Sequence, residues 1–498
     1  MRTDAASLAD RPLVLETAVF VSAGIGMVLE LAGSRLMSPY FGSSLFVWTS
    51  LIGVILAFMS LGNYVGGRLA DRWVDATMLS WVLGIAALGV ALMSFSEDRL
   101  LPALVAGGAT RTMSVVAACL LFAVPSMLLG VVTPYSIRVR MHGVEHAGAT
   151  VGSLYALATL GSIAGTFAAG FWLISVLGTH NIMLVCVVVL AGLAVVLMGR
   201  FDWRKALLLA AVLGMVLLSW LASRSGTVSL DTQYDRYLLR TAADPDTGRE
   251  LIGLSRDHIS AESASYVDSG EPYAFDYYGY YDLAARLTPG IERALMVGGG
   301  TFSYPRIFVA TNANATVDAV EIDGELVDVA REYFGFSDDP RIRVFLEDGR
   351  TFLNRAEGPY GAVFIDAFKS EATVPYQLTT VEAWRRCYDL LAEDGILVMN
   401  VVASPTDERS RFYDALFASI SAVFPQVEAY AVQGLEADAP LRNTSIVAVK
   451  RPGSDLAAAI EAVAPEFAAN RFTGYEVPQG TRLLTDDFAP VDQYLMRL

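Results

Sequence analysis

RALMVGGG, residues 293–300, is a short apolar run that ends in three glycines, Gly298, Gly299 and Gly300. It reads as a buried strand entering a loop whose backbone can approach a ligand, because glycine lacks a Cβ and tolerates positive φ. The next run, TVDAVEID (316–323), ends in Glu321 and Asp323. That is about 20 residues beyond the glycines, where a doubly wound fold places an acid that accepts both ribose hydroxyls. RIRVFLEDGR (341–350) then reaches Asp348 and Gly349, and GAVFIDAF (361–368) reaches Asp366. Four successive strands thus deliver glycines or acids at their carboxyl ends, the edge on which open α/β sheets bind ligands. Helical stretches between them predict a parallel sheet. GILVMNVV (395–402), VEAYAVQG (427–434) and TSIVAVK (444–450) supply the rest, the last two near enough for an antiparallel pair. The glycines lack the full G-x-G-x-x-G pattern and no P-loop is present, so the nucleoside need not carry phosphates. That favours a ligand such as S-adenosylmethionine over NAD or ATP.

The chain outside this stretch is of a different kind. Its 498 residues are 54% hydrophobic and 18% charged, and the first 220 or so hold seven candidate spans, near 14–36, 45–69, 77–96, 112–135, 149–176, 180–199 and 204–222. Gly62 and Gly66, and Gly161 and Gly165, have the spacing that lets membrane helices approach closely. Glu30, deep in the first span, is either a functional acid or the partner of Arg35 or Arg68. Arg68 and Arg72, Arg138 and Arg140, and Arg200, Arg204 and Lys205 follow even-numbered spans and put the N-terminus in the cytoplasm. Seven crossings would leave the C-terminal half outside, against the use of a cytoplasmic metabolite, so a miscount is expected around residues 97–111. The expected location is a bacterial inner membrane with a cytoplasmic soluble domain.

Composition excludes other classes. A net charge of −16 argues against nucleic acid and suits a small cationic ligand. Cys119, Cys186 and Cys387 have no CxxC spacing, so neither a zinc site nor a disulfide framework is indicated, and no metal is expected. Three parts are expected: a transmembrane helical domain (1–224), a small β subdomain (225–290) with YLLRTAA and ELIGLS as a hairpin, and a nucleoside-binding α/β domain (291–498).

The segments LMVGGG, VEID, DGR and FIDAF, then VPYQLTTVEAWRRCYDLLAEDGILVMNV and the closing LLTDDFAPVD, resemble the spermidine synthase family of polyamine aminopropyltransferases, in its membrane-fused branch. The resemblance implies a class I methyltransferase-like (Rossmann-like) domain of seven strands behind a small β subdomain. It implies decarboxylated S-adenosylmethionine as donor and methylthioadenosine as product. It gives Glu321 the ribose, Asp348 the adenine amine and Asp366 the reacting centre. Gln233 and Tyr234 fall in the stretch resembling the mouth of the active site, and Asp276, Tyr277 and Tyr278 near its tyrosine-bearing gate.

Two departures matter. The family carries GGGDG where this chain has Thr301-Phe302 after the glycines, and an Asp-x-x-Asp pair whose second acid is here Lys369. Two carboxylates that would receive a cationic amine are therefore missing, which puts putrescine as acceptor in doubt. An ammonium at 369 suits the carboxylate of intact S-adenosylmethionine or of an acidic, amino-acid-like acceptor; alternatively it pairs with Glu371 or Asp366 at a solvated rim. Methyl transfer, and a polyamine transporter or sensor with a nucleoside-binding domain, stand as alternatives. Membrane lipid is an expected partner, and a homodimer stays open.

Overall fold

The computed structural model describes the chain except residues 1–11, 43, 76, 106–110, 142–145, 199–202, 223–227, 245–246, 256–262, 268–273, 368–373, 407–408, 436–442, 452, 454 and 496–498. Two compact units divide it, Met1–Arg236 and Tyr237–Arg497.

The first unit consists of α1 (Pro12–Phe41), α2 (Leu45–Arg72), α3 (Thr77–Val105), α4 (Arg111–Arg140), α5 (Ala147–Ala168), α6 (Ile174–Val196) and α7 (Trp203–Ala222), followed by β1 (Val228–Asp231). Apolar side chains on every face make these helices insoluble on their own, and helices meet all their backbone polar groups internally. Among the described residues, six helical stretches are long and apolar enough to cross a membrane, one in each of α1 to α6. α7 forms over the seventh expected stretch. Within 97–111, residues up to Val105 simply continue α3 around Pro102.

Glycines set the helix contacts, as their spacing implied. A Cβ at Gly66 would stand 2.8 Å from Val131 Cα, and one at Gly165 would stand 2.7 Å from Gly24 Cα. α2 and α4 therefore run side by side in one direction, with Ser50 Oγ 3.0 Å from Ser114 Oγ farther along the seam. Pro125 and Pro134 lie inside a continuous α4. The breaks fall elsewhere, at a π-helical turn over Ala169–Leu173 and at Gly178, whose φ of 72° and ψ of 162° interrupt α6. Thr179 N donates to Asp231 Oδ1 at 3.2 Å, so the helix restarts under an aspartate that satisfies an otherwise orphaned amide. The turn after β1 is held further: Arg35 of α1 donates to the carbonyls of Thr232 (2.6 Å) and Gln233, and Arg236 pairs with the buried Glu97 of α3 at 3.2 Å.

The second unit opens with β2 (Arg236–Ala243), β3 (Glu250–Ser255) and β4 (Ser263–Tyr266). β2 and β3 form the expected hairpin, with Ala243 opposite Glu250, and β4 pairs antiparallel with β3. Two short helices, α8 (Tyr277–Tyr281) and α9 (Leu283–Leu287), lead into β5 (Arg293–Val297), α10 (Ser303–Thr311), β6 (Thr316–Glu321), α11 (Glu325–Tyr333), β7 (Ile342–Leu346), α12 (Gly349–Arg355), β8 (Tyr360–Ile365), α13 (Val381–Leu390), β9 (Leu391–Val402), α14 (Ser410–Ser421), β10 (Gln426–Ala431) and β11 (Asn443–Val449).

The seven strands β5 to β11 form one sheet in the order β10-β11-β9-β8-β5-β6-β7. β11 runs antiparallel to both of its neighbours, and the pairs from β9 across to β7 are parallel. The strand pattern implied a parallel α/β sheet, and its seven-stranded, class I methyltransferase-like (Rossmann-like) form is the one that the family resemblance implied. Alternate residues of each strand enter different cores, Ala294, Met296 and Phe364 on one face and Leu295, Val297 and Val363 on the other. Burial on both faces is why these strands read as unbroken apolar runs. The chain steps from β5 out to β7 and returns to β8 on β5's other side. The strand order therefore reverses between β5 and β8, where such sheets open a crevice at their carboxyl ends.

Candidate active site

At the carboxyl end of β5 the chain turns sharply: Gly298 takes φ 97°, Gly300 φ 52°, and Phe302 a left-handed φ of 57°. Gly298 N donates to Val320 O at 2.9 Å, and Asp366 N donates to Val297 O at 2.8 Å. A Cβ at Gly298 would lie 2.8 Å from Ala367 N. This glycine is needed first to let the loops after β5 and β8 pass against each other.

Glu321 closes the loop from the other side. Its buried carboxylate accepts from Gly300 N at 2.8 Å and from Asp323 N at 2.9 Å. The glycine loop is thus tied to the end of β6. Asp323, also buried, accepts from Glu325 N at 3.2 Å at the start of α11. Asp348 lies two residues beyond β7 and caps α12, accepting from Thr351 N at 2.9 Å. Gly349 packs so near β5 that a Cβ would meet Val297 Cγ1 at 2.6 Å.

Asp366 follows β8 directly and faces a wall of tyrosines. Tyr277 Oη donates to Asp366 Oδ2 at 3.1 Å. Burial pushes the Asp366 carboxyl up to about 6, while Tyr277, Asn400 and Tyr281 turn polar groups toward it and favour its charged form. The Tyr281 hydroxyl is itself buried and closes no hydrogen bond among the described residues. Burial and the neighbouring Asp366 charge hold Tyr277 and Tyr281 neutral, their hydroxyls well above the usual range. Tyr277 and Tyr278 meet edge to face with ring centroids 4.6 Å apart, and Tyr281 meets Tyr304 at 4.9 Å. Tyr278 is buried in that same cluster.

The structure therefore brings Gly298, Gly299, Gly300, Glu321, Asp323, Asp348, Gly349, Asp366, Tyr277 and Tyr278 to the second unit, most of them at the carboxyl edge of its sheet. Gln233 is exposed and belongs to the first unit. Lys369 lies outside the described residues. Tyr281 and Asn400 were missed, although each left a signal: Tyr281 follows Tyr277 by four residues, the helical repeat, and Asn400 is the one polar residue within the apolar run GILVMNVV. The site joins a buried acid to neutral aromatic hydroxyls, an arrangement that favours and orients a cation.

The chain is similar in sequence to known proteins. The family described as Spermine/spermidine synthase domain matches residues 281–433. A polyamine aminopropyltransferase of Alkaliphilus metalliredigens is 32% identical over 205 residues, 36% of this chain and 71% of that protein. One of Vibrio vulnificus is 27% identical over 243 residues, 46% of this chain and 79% of that protein. The chain spans 57% of the length of a third such relative, from Clostridium beijerinckii, at 30% identity. Among solved structures, a probable spermidine synthase from Corynebacterium glutamicum aligns at 22% identity and a TM-score of 0.42, covering 52% of this chain and 96% of that one. On the sequence relationship, with an additional helical region at its N-terminal side, this chain belongs to the spermine/spermidine synthase family of polyamine aminopropyltransferases.

Proposed function

We propose that this protein is a membrane-integral transferase that binds S-adenosylmethionine or its decarboxylated form and moves or releases the aminopropyl-type side chain, leaving methylthioadenosine. The observation that carries the reading is Asp366, a buried acid bonded by Tyr277 beside the glycine loop that Glu321 ties down. In this reading Glu321 holds the ribose, Asp348 meets the adenine amine, and Gly298 to Gly300 and Gly349 let the nucleoside lie close to the backbone. Asp323 supports the loop.

The acceptor's nitrogen lone pair attacks the methylene next to the sulfonium. The carbon–sulfur bond breaks, its electron pair stays on sulfur, and a neutral thioether leaves. The new ammonium loses its proton to solvent. Asp366 and the tyrosines hold the amine in line, and the charged acid favours the cationic centres of both reactants. Thr301 and Lys369 stand where the family carries acids, which makes putrescine a poor acceptor. Lys369 suits a carboxylate on the donor or acceptor.

We further infer that the helices lie in a cell membrane with the α/β domain on the cytoplasmic side. Among the described residues six stretches are long and apolar enough to cross, and six crossings would return the chain to the side of its N-terminus, which the arginines after α2 and α4 assign to the cytoplasm.

The test is direct. Detergent-purified full-length protein is incubated with each nucleoside, with and without amines, and the products are separated. Methylthioadenosine from either donor supports the reading; S-adenosylhomocysteine assigns methyl transfer instead. Absence of methylthioadenosine from both donors overturns it.

A further inference from the structure

The seam between α2 and α4 is tight at its glycines and carries a groove on its outer side toward the helix starts. Gly62 and Gly66 bring the backbones together near Met127 and Val131. Toward the helix starts a groove of about 440 Å³ lies along the same seam. Its walls are apolar, with Val54, Phe58, Val115 and Cys119 among them, and a Cβ at Gly53 would meet nothing within 4 Å, so the groove faces outward there. Among the described residues lining it, Arg111 carries the one charge. Arg111 is the first residue of α4 and lies over the ring of Phe46, the second residue of α2, at 4.1 Å from the centroid. The charge thus sits at the helix ends and the apolar trough runs inward from it.

We propose that this groove binds one acyl chain of an anionic phospholipid, with the lipid phosphate on the Arg111 guanidinium. The dimensions fit. From Phe46 to Phe58 the helix rises about 18 Å, close to the half-thickness of a hydrocarbon core of about 30 Å. A chain anchored at Arg111 would fill one leaflet's depth and stop where the glycines close the seam. An arginine fork matches phosphate oxygens, and stacking on Phe46 holds the fork at the level where headgroups lie. The proposal uses the membrane reading of the helices and is independent of the transferase reading, because lipid retention is measured without nucleoside.

The experiment is lipid retention by the detergent-purified full chain, counted by native mass spectrometry with phosphatidylglycerol, phosphatidylcholine of the same chains, and glycerol 1-phosphate as probes. The wild type is expected to prefer phosphatidylglycerol about five-fold, the effect of one interfacial charge. Arg111→Gln should remove that preference and Arg111→Lys should keep it in part. Gly53→Phe, which enters open space and so tests occupancy without disturbing the fold, should lower retention of both lipids. A wild type without preference overturns the proposal, as does a preference that survives Arg111→Gln. Competition by glycerol 1-phosphate at the lipid's own concentration also overturns it, since the headgroup alone would then suffice. A chain that stays dispersed without detergent would overturn the membrane reading as well.

Discussion

Asp366 is the residue at which chemistry and stability oppose each other. Its carboxyl titrates near 6 in the fold against 3.8 when exposed, because burial costs the charged form more than Tyr277, Asn400 and Tyr281 return. The folded state therefore holds a proton that the unfolded chain has lost between these values. Stability falls as pH rises from about 4 to 6 and stays lower above, by up to about 3 kcal/mol for a shift of roughly two units. Asp366→Asn should remove this dependence. Its unfolding temperature should exceed the wild type's at pH 7.5 and match it at pH 4, read by circular dichroism, and a gap of one size at both pH values would refute the assignment. Under the proposed function the same substitution should cut turnover by about 10² or more, since the acid orients the amine in the transition state. Tyr277→Phe tests the partner. Losing a donor to the charged carboxylate should raise the Asp366 pKa by about one unit. The acid limb of the pH–rate profile should move up accordingly, whereas a tyrosine that only packs would leave the limb in place.

At the scale of elements, the loop after β5 shows what a sequence can and cannot disclose. Strands were legible because burial on both faces demands continuous apolar runs, and the glycines and strand-end acids because a sheet's carboxyl edge needs small and acidic residues. The reason for Gly298 was not legible. Its nearest neighbours belong to the loop after β8, some seventy positions later in the chain, and no local pattern encodes that approach. The same holds for Tyr277, whose bond to Asp366 joins residues 89 apart. The break at Gly178 is intelligible only through Asp231, which caps the restart of α6. A prediction belongs to this loop. Gly298→Ala combines a left-handed φ with a backbone clash and should cost about 3 kcal/mol in denaturant unfolding. Gly290→Ala has a similar φ of 84° but open space around it, and should cost only about 1 kcal/mol. Equal costs would show that the loop after β8 yields to the added methyl.

The whole molecule is two units with separate cores, and its cysteines report on them separately. Cys186 is buried in α6 of the helical unit and Cys387 in α13 of the α/β unit, where burial pushes its thiol up to about 12. Neither reacts while its own core is intact, because the thiolate is the reactive form and both side chains are enclosed. Units with independent cores need not unfold together. The seam between α2 and α4 offers a way to loosen one alone. A side chain at Gly66 would collide with the Val131 backbone, so Gly66→Leu must part the helices and should cost at least about 3 kcal/mol. Gly67 is its control: it is adjacent in sequence, and a Cβ there meets nothing within 4 Å. On heating detergent-solubilised protein with a thiol reagent and locating the label by peptide mass, Gly66→Leu should bring Cys186 labelling to a lower temperature and leave Cys387 unchanged. Gly67→Leu should move neither. If Gly66→Leu advances both cysteines together, the two cores unfold as one, and the stability of the seven-stranded sheet depends on the packing of the helices.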